Sequence, residues 1–212
     1  MGLLRYHRSM GKKPHPYQIQ DKYFHLAKQK GYRARSAFKL LEIQKKFHLL
    51  KTGQTIVDLG AAPGSFMQVI REIIGSEGRV FGVDLQEMSS FPYENMRAVQ
   101  GDIFEVEALM ADLEAFGIRK ADGVTSDLAP KTSGIKDLDT GISAELTEQA
   151  FHVAESLLKP GGFFVGKIFE GSEFQRVLKI IKGSFREVRV FKPEACRDRS
   201  YETYIVGLGF HA

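Results

Sequence analysis

At 212 residues, with 43% hydrophobic and 11% aromatic residues, the chain has the size and composition of one well-buried globular domain with room for an added arm. A single cysteine, Cys196, excludes an intramolecular disulfide framework; no apolar run approaches the roughly 20 residues of a membrane span and MGLLRYHRSMGKK has no secretory apolar core, so a cytoplasmic protein without membrane contact is expected. The net charge of +4 conceals a split, because residues 1–50 hold twelve Lys/Arg against only Asp21 and Glu42, whereas the other 162 residues hold 18 Lys/Arg against 24 Asp/Glu.

The chain therefore opens on a basic arm, residues 1–32, followed by a single mildly acidic domain, residues 33–212. Residues 1–20 mix Gly, Pro and His without periodicity and are expected to be flexible or extended. Aromatics interleave with the charges (Tyr17, Tyr23, Phe24, Tyr32, Phe38), a composition that suits a surface pairing with phosphates and stacking on bases. From Ser36, predicted as an N-cap, the spacing of Phe38, Leu41, Ile43 and Phe47 predicts a helix that ends before Gly53.

The chain then alternates. Strands are predicted at 55–60, 79–85, 96–102, 122–128 and 163–169, with helices at 63–75, 104–116, 143–158 and 173–182 between and after them. Two last strands, 187–192 and 203–210, are separated by a loop too short for a parallel crossover, so they should pair antiparallel. The pattern predicts an α/β domain of about seven strands, mostly parallel with the last strand antiparallel and helices on both faces.

Ligands of such sheets bind beyond the carboxyl ends of the strands, near the point where strand order reverses. The first strand runs into DLGAAPGSF, where Gly60 and Gly64 let backbone approach a ligand and the next helix offers its positive end. Asp84, at the end of the second strand, suits the hydroxyls of an adenosine ribose. Asp102, after the third, suits the adenine amine, and Asp58, before the glycine loop, suits a cationic amino group. The spacing departs from the G-x-G-x-x-G of dinucleotide binders. The set fits S-adenosylmethionine, with a nicotinamide dinucleotide as the alternative and ordinary strand-end turns as the plain reading.

Four ionisable residues stand where strand tips should converge. Lys167 interrupts the apolar run FFVGKIF, Asp127 ends the fourth strand in SDLAP, Glu202 precedes the last strand, and Lys39 lies on the early helix. Singly, each reads as a surface or snorkelling side chain. Together, two amines and two carboxylates at one cleft would form a proton-handling site. The histidines show no metal-ligand spacing, so no metal is expected.

The ordered set SAFKL, VDLGAAPGSF, GVDL, QGD, SDLAP, GKIFEG and SYETYIV resembles the FtsJ-like family of RNA ribose 2′-O-methyltransferases, from about Arg33 to the C-terminus. The resemblance implies a Rossmann-like S-adenosylmethionine-dependent methyltransferase fold. It also implies a catalytic tetrad of Lys39, Asp127, Lys167 and Glu202, and cofactor contacts from Gly64, Phe66, Asp84, Asp102 and Asp127. The implied substrate is a uridine of 23S ribosomal RNA in the large subunit, with transfer RNA or an mRNA cap as the alternative and a non-catalytic RNA-binding relative as a further one; no obligate protein partner is implied. The loop departs from the bacterial ribosomal pattern APGGW by reading APGSF, which replaces an indole with Phe66 and adds a side chain at Ser65. RNA contact is expected from the arm, the first helix, Arg197, Arg199, Lys131 and Lys136.

Overall fold

The computed structural model describes residues 18–196 and 200–211; the arm up to residue 17, and with it Tyr17, and the expected RNA contacts Arg197 and Arg199 lie outside them. Six helices and seven strands are present among the described residues: α1 (Gln18–Lys30), α2 (Ala37–Phe47), β1 (Thr55–Leu59), α3 (Ser65–Ile74), β2 (Arg79–Asp84), β3 (Met96–Gln100), α4 (Val106–Ala115), β4 (Ala121–Ser126), α5 (Lys136–Leu157), β5 (Leu158–Phe169), α6 (Phe174–Lys182), β6 (Phe185–Phe191) and β7 (Glu202–Phe210). The strands form one sheet in the order β3-β2-β1-β4-β5-β7-β6. The pairs among β1 to β5 are parallel, and β7 runs antiparallel to both β5 and β6. The chain leaves β1 toward β2 and β3, then returns to its other side as β4, so the order reverses between β1 and β4.

Strand alternation sends successive side chains to opposite faces, and two cores result. On one face Val57, Leu59, Val124, Phe164 and Ile168 pack under α4, α5 and α6, represented by Leu113, Phe151 and Ile181. On the other, Ile56, Val165, Tyr204 and Val206 pack under α2 and α3, through Leu40, Ile43, Met67 and Ile70. The interior strands are buried on both sides, which is why they read as continuous apolar runs rather than alternating ones.

Strand β5 starts at Leu158 rather than 163, and three further features differ from the sequence-based expectation. Residues 18–30, expected within the arm, form α1, whose Tyr23 ring packs against Phe38 of α2 at 5.4 Å. Its apolar residues are too few to announce a helix without that partner. Ser36 does sit at the N-terminus of α2 but does not cap it; its hydroxyl pairs with that of Ser65 at 2.7 Å, joining the starts of α2 and α3. Helix α5 begins at Lys136 rather than 143. The Asp139 carboxylate accepts the Ser133 and Gly134 amides at 2.7 and 3.2 Å, which builds the entry to the helix earlier than Ser143. Ser143 is instead buried inside α5, where its hydroxyl accepts the Phe169 amide.

Candidate active site

The same alternation that builds the two cores places the ionisable residues. On β5, Lys167 shares a face with Phe163 and Val165; on β7, Glu202 shares one with Tyr204 and Val206; Asp127 continues the face of Thr125 just beyond β4. All three point to the side covered by α2, and α2 supplies Lys39. Lys167 pairs with Tyr204 in the β5–β7 ladder and Phe169 with Glu202, so register alone brings the strand tips together.

The four residues meet. Lys167 Nζ lies 3.0 Å from the Asp127 carboxylate and also donates to the Asp127 carbonyl. Lys39 Nζ lies 2.5 Å from Glu202 Oε1 and 3.9 Å from Asp127 Oδ1. Both lysines are buried, at 9% exposure for Lys39 and 6% for Lys167, so the carboxylates must compensate a desolvation that water does not. Burial alone would lower the Lys39 ammonium, but Asp127 and Glu202 outweigh it and the net direction is upward. Burial alone would raise the Asp127 carboxyl, but Lys167 and Lys39 outweigh it and hold the group below the ordinary carboxylate range.

Tyr204 is a fifth member that nothing in the sequence singled out. Its hydroxyl lies 2.6 Å from Asp127 Oδ1 and 3.2 Å from Glu202 Oε1, and its ring is fully buried. Burial and the two carboxylates push the phenol well above its ordinary value, so it serves as a donor. Its sequence signal was the period of two in ETYIV, which puts residue 204 on the face of Glu202. Cys196 stands beside the same group, its thiol 3.3 Å from Glu202 Oε1; burial, then Glu202, pushes that thiol up to about 12, so it is no nucleophile.

The loop that delivers Glu202 is tied to α2. Glu42 accepts the Glu194 and Ala195 amides at 2.6 and 3.1 Å, and Arg35 donates to the Ala195 carbonyl at 2.6 Å. The helix that carries Lys39 thus also holds the loop before its partner.

The glycine loop lies across the reversal point. Gly60 and Gly64 have φ of +74° and +103°, and a Cβ on them would fall 2.6 Å from Leu128 Cδ2 and 2.5 Å from Phe91 Cζ respectively. Asp84 closes the loop from β2: its Oδ2 accepts the Ala62 amide at 2.9 Å and its Oδ1 the Gln86 amide at 2.8 Å. Asp102 accepts the Phe104 amide at 3.0 Å in the turn after β3. Arg33 ties the glycine loop to the segment after β2, donating to the Pro63 carbonyl and to those of Ser89 and Ser90 and lying 3.8 Å from the Phe91 ring centroid. Phe66, expected to contact the cofactor, is 2% exposed and packs in the core beside α2 and α3.

Asp58 is fully buried; its Oδ1 accepts the Thr125 hydroxyl at 2.6 Å, and its Oδ2 has no partner within the protein. Burial raises this carboxyl to about 8, with the Thr125 hydrogen bond opposing and Asp127 and Asp84 adding. A buried carboxyl oxygen at the switch point thus lacks the partner that buried polar groups normally have. Two apolar residues missed from sequence complete the opening. Leu85 and Phe104, at 67% and 56% exposure, follow the tips of the adjacent strands β2 and β3 and can cover the faces of a flat ring. Among the described residues, no group of three or more His, Cys, Asp or Glu is placed to hold a metal ion, and no helix is long and apolar enough to cross a membrane.

Comparison with known proteins agrees with this geometry. A family model for FtsJ-like methyltransferases matches residues 32–210. A ribosomal RNA large subunit methyltransferase E of Syntrophobacter fumaroxidans is 45% identical over 192 residues, covering 91% of this chain and 96% of the relative. A protein of the same name from Methanococcus maripaludis is 38% identical over 205 residues, covering 95% and 79%. A crystal structure from Plasmodium falciparum, described as that of a ribosomal RNA methyltransferase, superposes with a TM-score of 0.75 at 31% identity, over 84% of this chain and 98% of that one. Fibrillarin of Aeropyrum pernix, solved with natively bound S-adenosyl-L-methionine, shares the fold at a TM-score of 0.56 and 20% identity, over 84% and 75%. Strand order, glycine loop and matched length agree: the chain belongs to the FtsJ-like methyltransferase family.

Proposed function

We propose that this protein transfers a methyl group from S-adenosylmethionine to a ribose 2′-hydroxyl of large-subunit ribosomal RNA, at a uridine of the 23S molecule, and works in the cytoplasm where ribosomal particles assemble. The observation that carries the reading is the meeting of Lys39, Asp127, Lys167 and Glu202 beside the glycine loop. The names of the relatives support large-subunit RNA as the substrate.

The cleft suits the cofactor on this structure's own features. The unpartnered Asp58 Oδ2 matches a cationic amino group, the Gly60–Gly64 turn is a tight positive-φ loop in which a Cβ would strike Leu128 or Phe91, and Leu85 and Phe104 suit an adenine. Asp84 would take the ribose hydroxyls with its remaining lone pairs and Asp102 the adenine amine. When bound, S-adenosylmethionine supplies a methyl already activated on a sulfonium. The residues of this chain are left with two tasks: aiming the nucleophile and removing its proton.

Lys167 is assigned to both. Two of its hydrogen-bonding positions are committed to the Asp127 carboxylate and carbonyl, which fixes the direction of the third. As the neutral amine, Lys167 would present its lone pair in that direction, orient the ribose hydroxyl and take its proton as the oxygen attacks the donor. Asp127 orients Lys167. Lys39, held charged by Asp127 and Glu202, stabilises negative charge developing on the oxygen, and Glu202 and Tyr204 fix Lys39 and Asp127 in place.

The test is to incubate the purified protein and labelled S-adenosylmethionine with large ribosomal subunits, free ribosomal RNA and transfer RNA, and to map the label. The reading expects one 2′-O-methylribose in large-subunit RNA. Label confined to transfer RNA, or on a base rather than a ribose, contradicts it.

A further inference from the structure

Beyond the tetrad, the cleft rim carries an aromatic side chain that the mechanism leaves unused. Tyr201 immediately precedes Glu202 and is 50% exposed. Its backbone is pinned, because its carbonyl accepts the Glu170 amide at 2.8 Å. The alternation that turns Glu202 toward α2 turns Tyr201 to the opposite rim, toward the start of α5. There Lys136 Nζ stands 4.3 Å from the ring centroid. The neighbours of Lys136 in the chain, Ile135 and Leu138, are 63% and 49% exposed, so the start of α5 presents apolar surface beside a cation.

An exposed aromatic ring with an ammonium beside it, one residue from a catalytic carboxylate, has the chemistry that recognises an unstacked nucleobase. We propose that Tyr201 is a specificity-determining residue on which an unpaired base, that of the methylated nucleotide or its immediate neighbour, stacks while the ribose is held over Lys167. This inference rests on the RNA methyl-transfer reading. Consecutive Cα atoms lie 3.8 Å apart, and with the two side chains on opposite rims a ring at 201 and a ribose at the tetrad would be separated by roughly the span of a nucleotide or two. On binding, Lys136 would exchange its cation–π contact with the ring for an ion pair with the adjoining phosphate.

The test compares Tyr201→Leu, Tyr201→Phe and Lys136→Met. With large ribosomal subunits as substrate, Tyr201→Leu should raise KM for RNA about tenfold, leave kcat within about twofold and leave S-adenosylmethionine affinity unchanged. Tyr201→Phe should match the parent, and Lys136→Met should raise KM by about threefold or less. A second readout needs no turnover: a short single-stranded oligoribonucleotide carrying one 2-aminopurine should be quenched on binding to the parent and to Tyr201→Phe, but not on binding to Tyr201→Leu. A parent-like KM and quench in Tyr201→Leu overturns the proposal. So does an equal loss in Lys136→Met, which would make the contact a tie between two loops. A parent protein that methylates no ribosomal RNA counts against the proposed function instead, and the quenching arm then still decides whether Tyr201 stacks a base.

Discussion

Lys39 on α2 and Glu202 at the start of β7 form an ion pair of 2.5 Å at the mouth of the cleft, with both side chains about nine-tenths buried. The pair joins the helix layer to the antiparallel edge of the sheet, and its charge balance extends through Asp127 to Lys167. Removing one partner leaves the other charged and buried, which costs more than the pair itself contributes. Lys39→Met should therefore lower thermal stability as well as methyl transfer, the latter by at least about a hundredfold, while S-adenosylmethionine affinity stays within about threefold of the parent. Glu202→Gln keeps an acceptor for Lys39 and should cost about tenfold or less. Steady-state kinetics and cofactor titration on the two variants check the ranking; equal losses in both would contradict it.

Asp58 predicts a pH dependence of stability. Its carboxyl is raised to about 8 in the folded protein from an ordinary value near 3.8, so the folded state holds a proton that the unfolded state releases. A raised folded value gives stability that is fully present below the unfolded pKa and lost as pH rises through the folded one. The cofactor-free protein should lose melting temperature between about pH 4 and pH 8 on this account, and Asp58→Asn should flatten that slope. Added S-adenosylmethionine should stabilise the parent more than the Asn variant at pH 8, because its ammonium meets an ionised Asp58 only in the parent. Parallel melting curves for the two proteins across the range would remove this role.

Asp84 holds the glycine loop through Ala62 and its own turn through Gln86. Asp84→Asn keeps an oxygen acceptor but exchanges the other for a donor, so S-adenosylmethionine binding should weaken at least tenfold. Melting temperature should change by only a few degrees, and at saturating cofactor kcat should recover most of its parent value. Unaltered affinity by calorimetric titration would show that the carboxylate serves the loop alone.

RNA binding should depend steeply on salt. The first fifty residues carry twelve Lys/Arg, of which Lys28 and Lys30 end α1 and Lys45 and Lys46 end α2. Affinity for large-subunit RNA should fall more than tenfold between 50 and 200 mM salt, and replacing Lys45 and Lys46 by Gln should reduce the slope by about two. A flat response would mark the basic segment as solvated surface.

Most of the sheet could be read from the sequence because its strands are buried on both faces and its helices carry one apolar stripe, as in TIVDL followed by SFMQVIREII. The tetrad was legible for a related reason: a charged residue inside an apolar strand, Lys167, has to justify its desolvation. Other features were hidden because their cause is tertiary. Helix α1 depends on packing against Phe38, and the start of α5 depends on Asp139 capturing backbone six residues earlier. Glu42 looks like an isolated acid until the loop at 194–195 is folded onto it. Tyr204 looks like an ordinary strand aromatic until register sets it opposite Lys167.

The most direct test of the account is methyl transfer by Lys167→Ala and Lys167→Arg on large ribosomal subunits, with S-adenosylmethionine affinity measured on the same preparations. Arg keeps positive charge and hydrogen-bond donors but does not give up its proton near neutrality. Proton acceptance by residue 167 predicts that both variants bind the cofactor as the parent does and that both lose transfer by at least a thousandfold. Near-parental turnover in Lys167→Arg would contradict the base role, and near-parental turnover in Lys167→Ala would contradict the site.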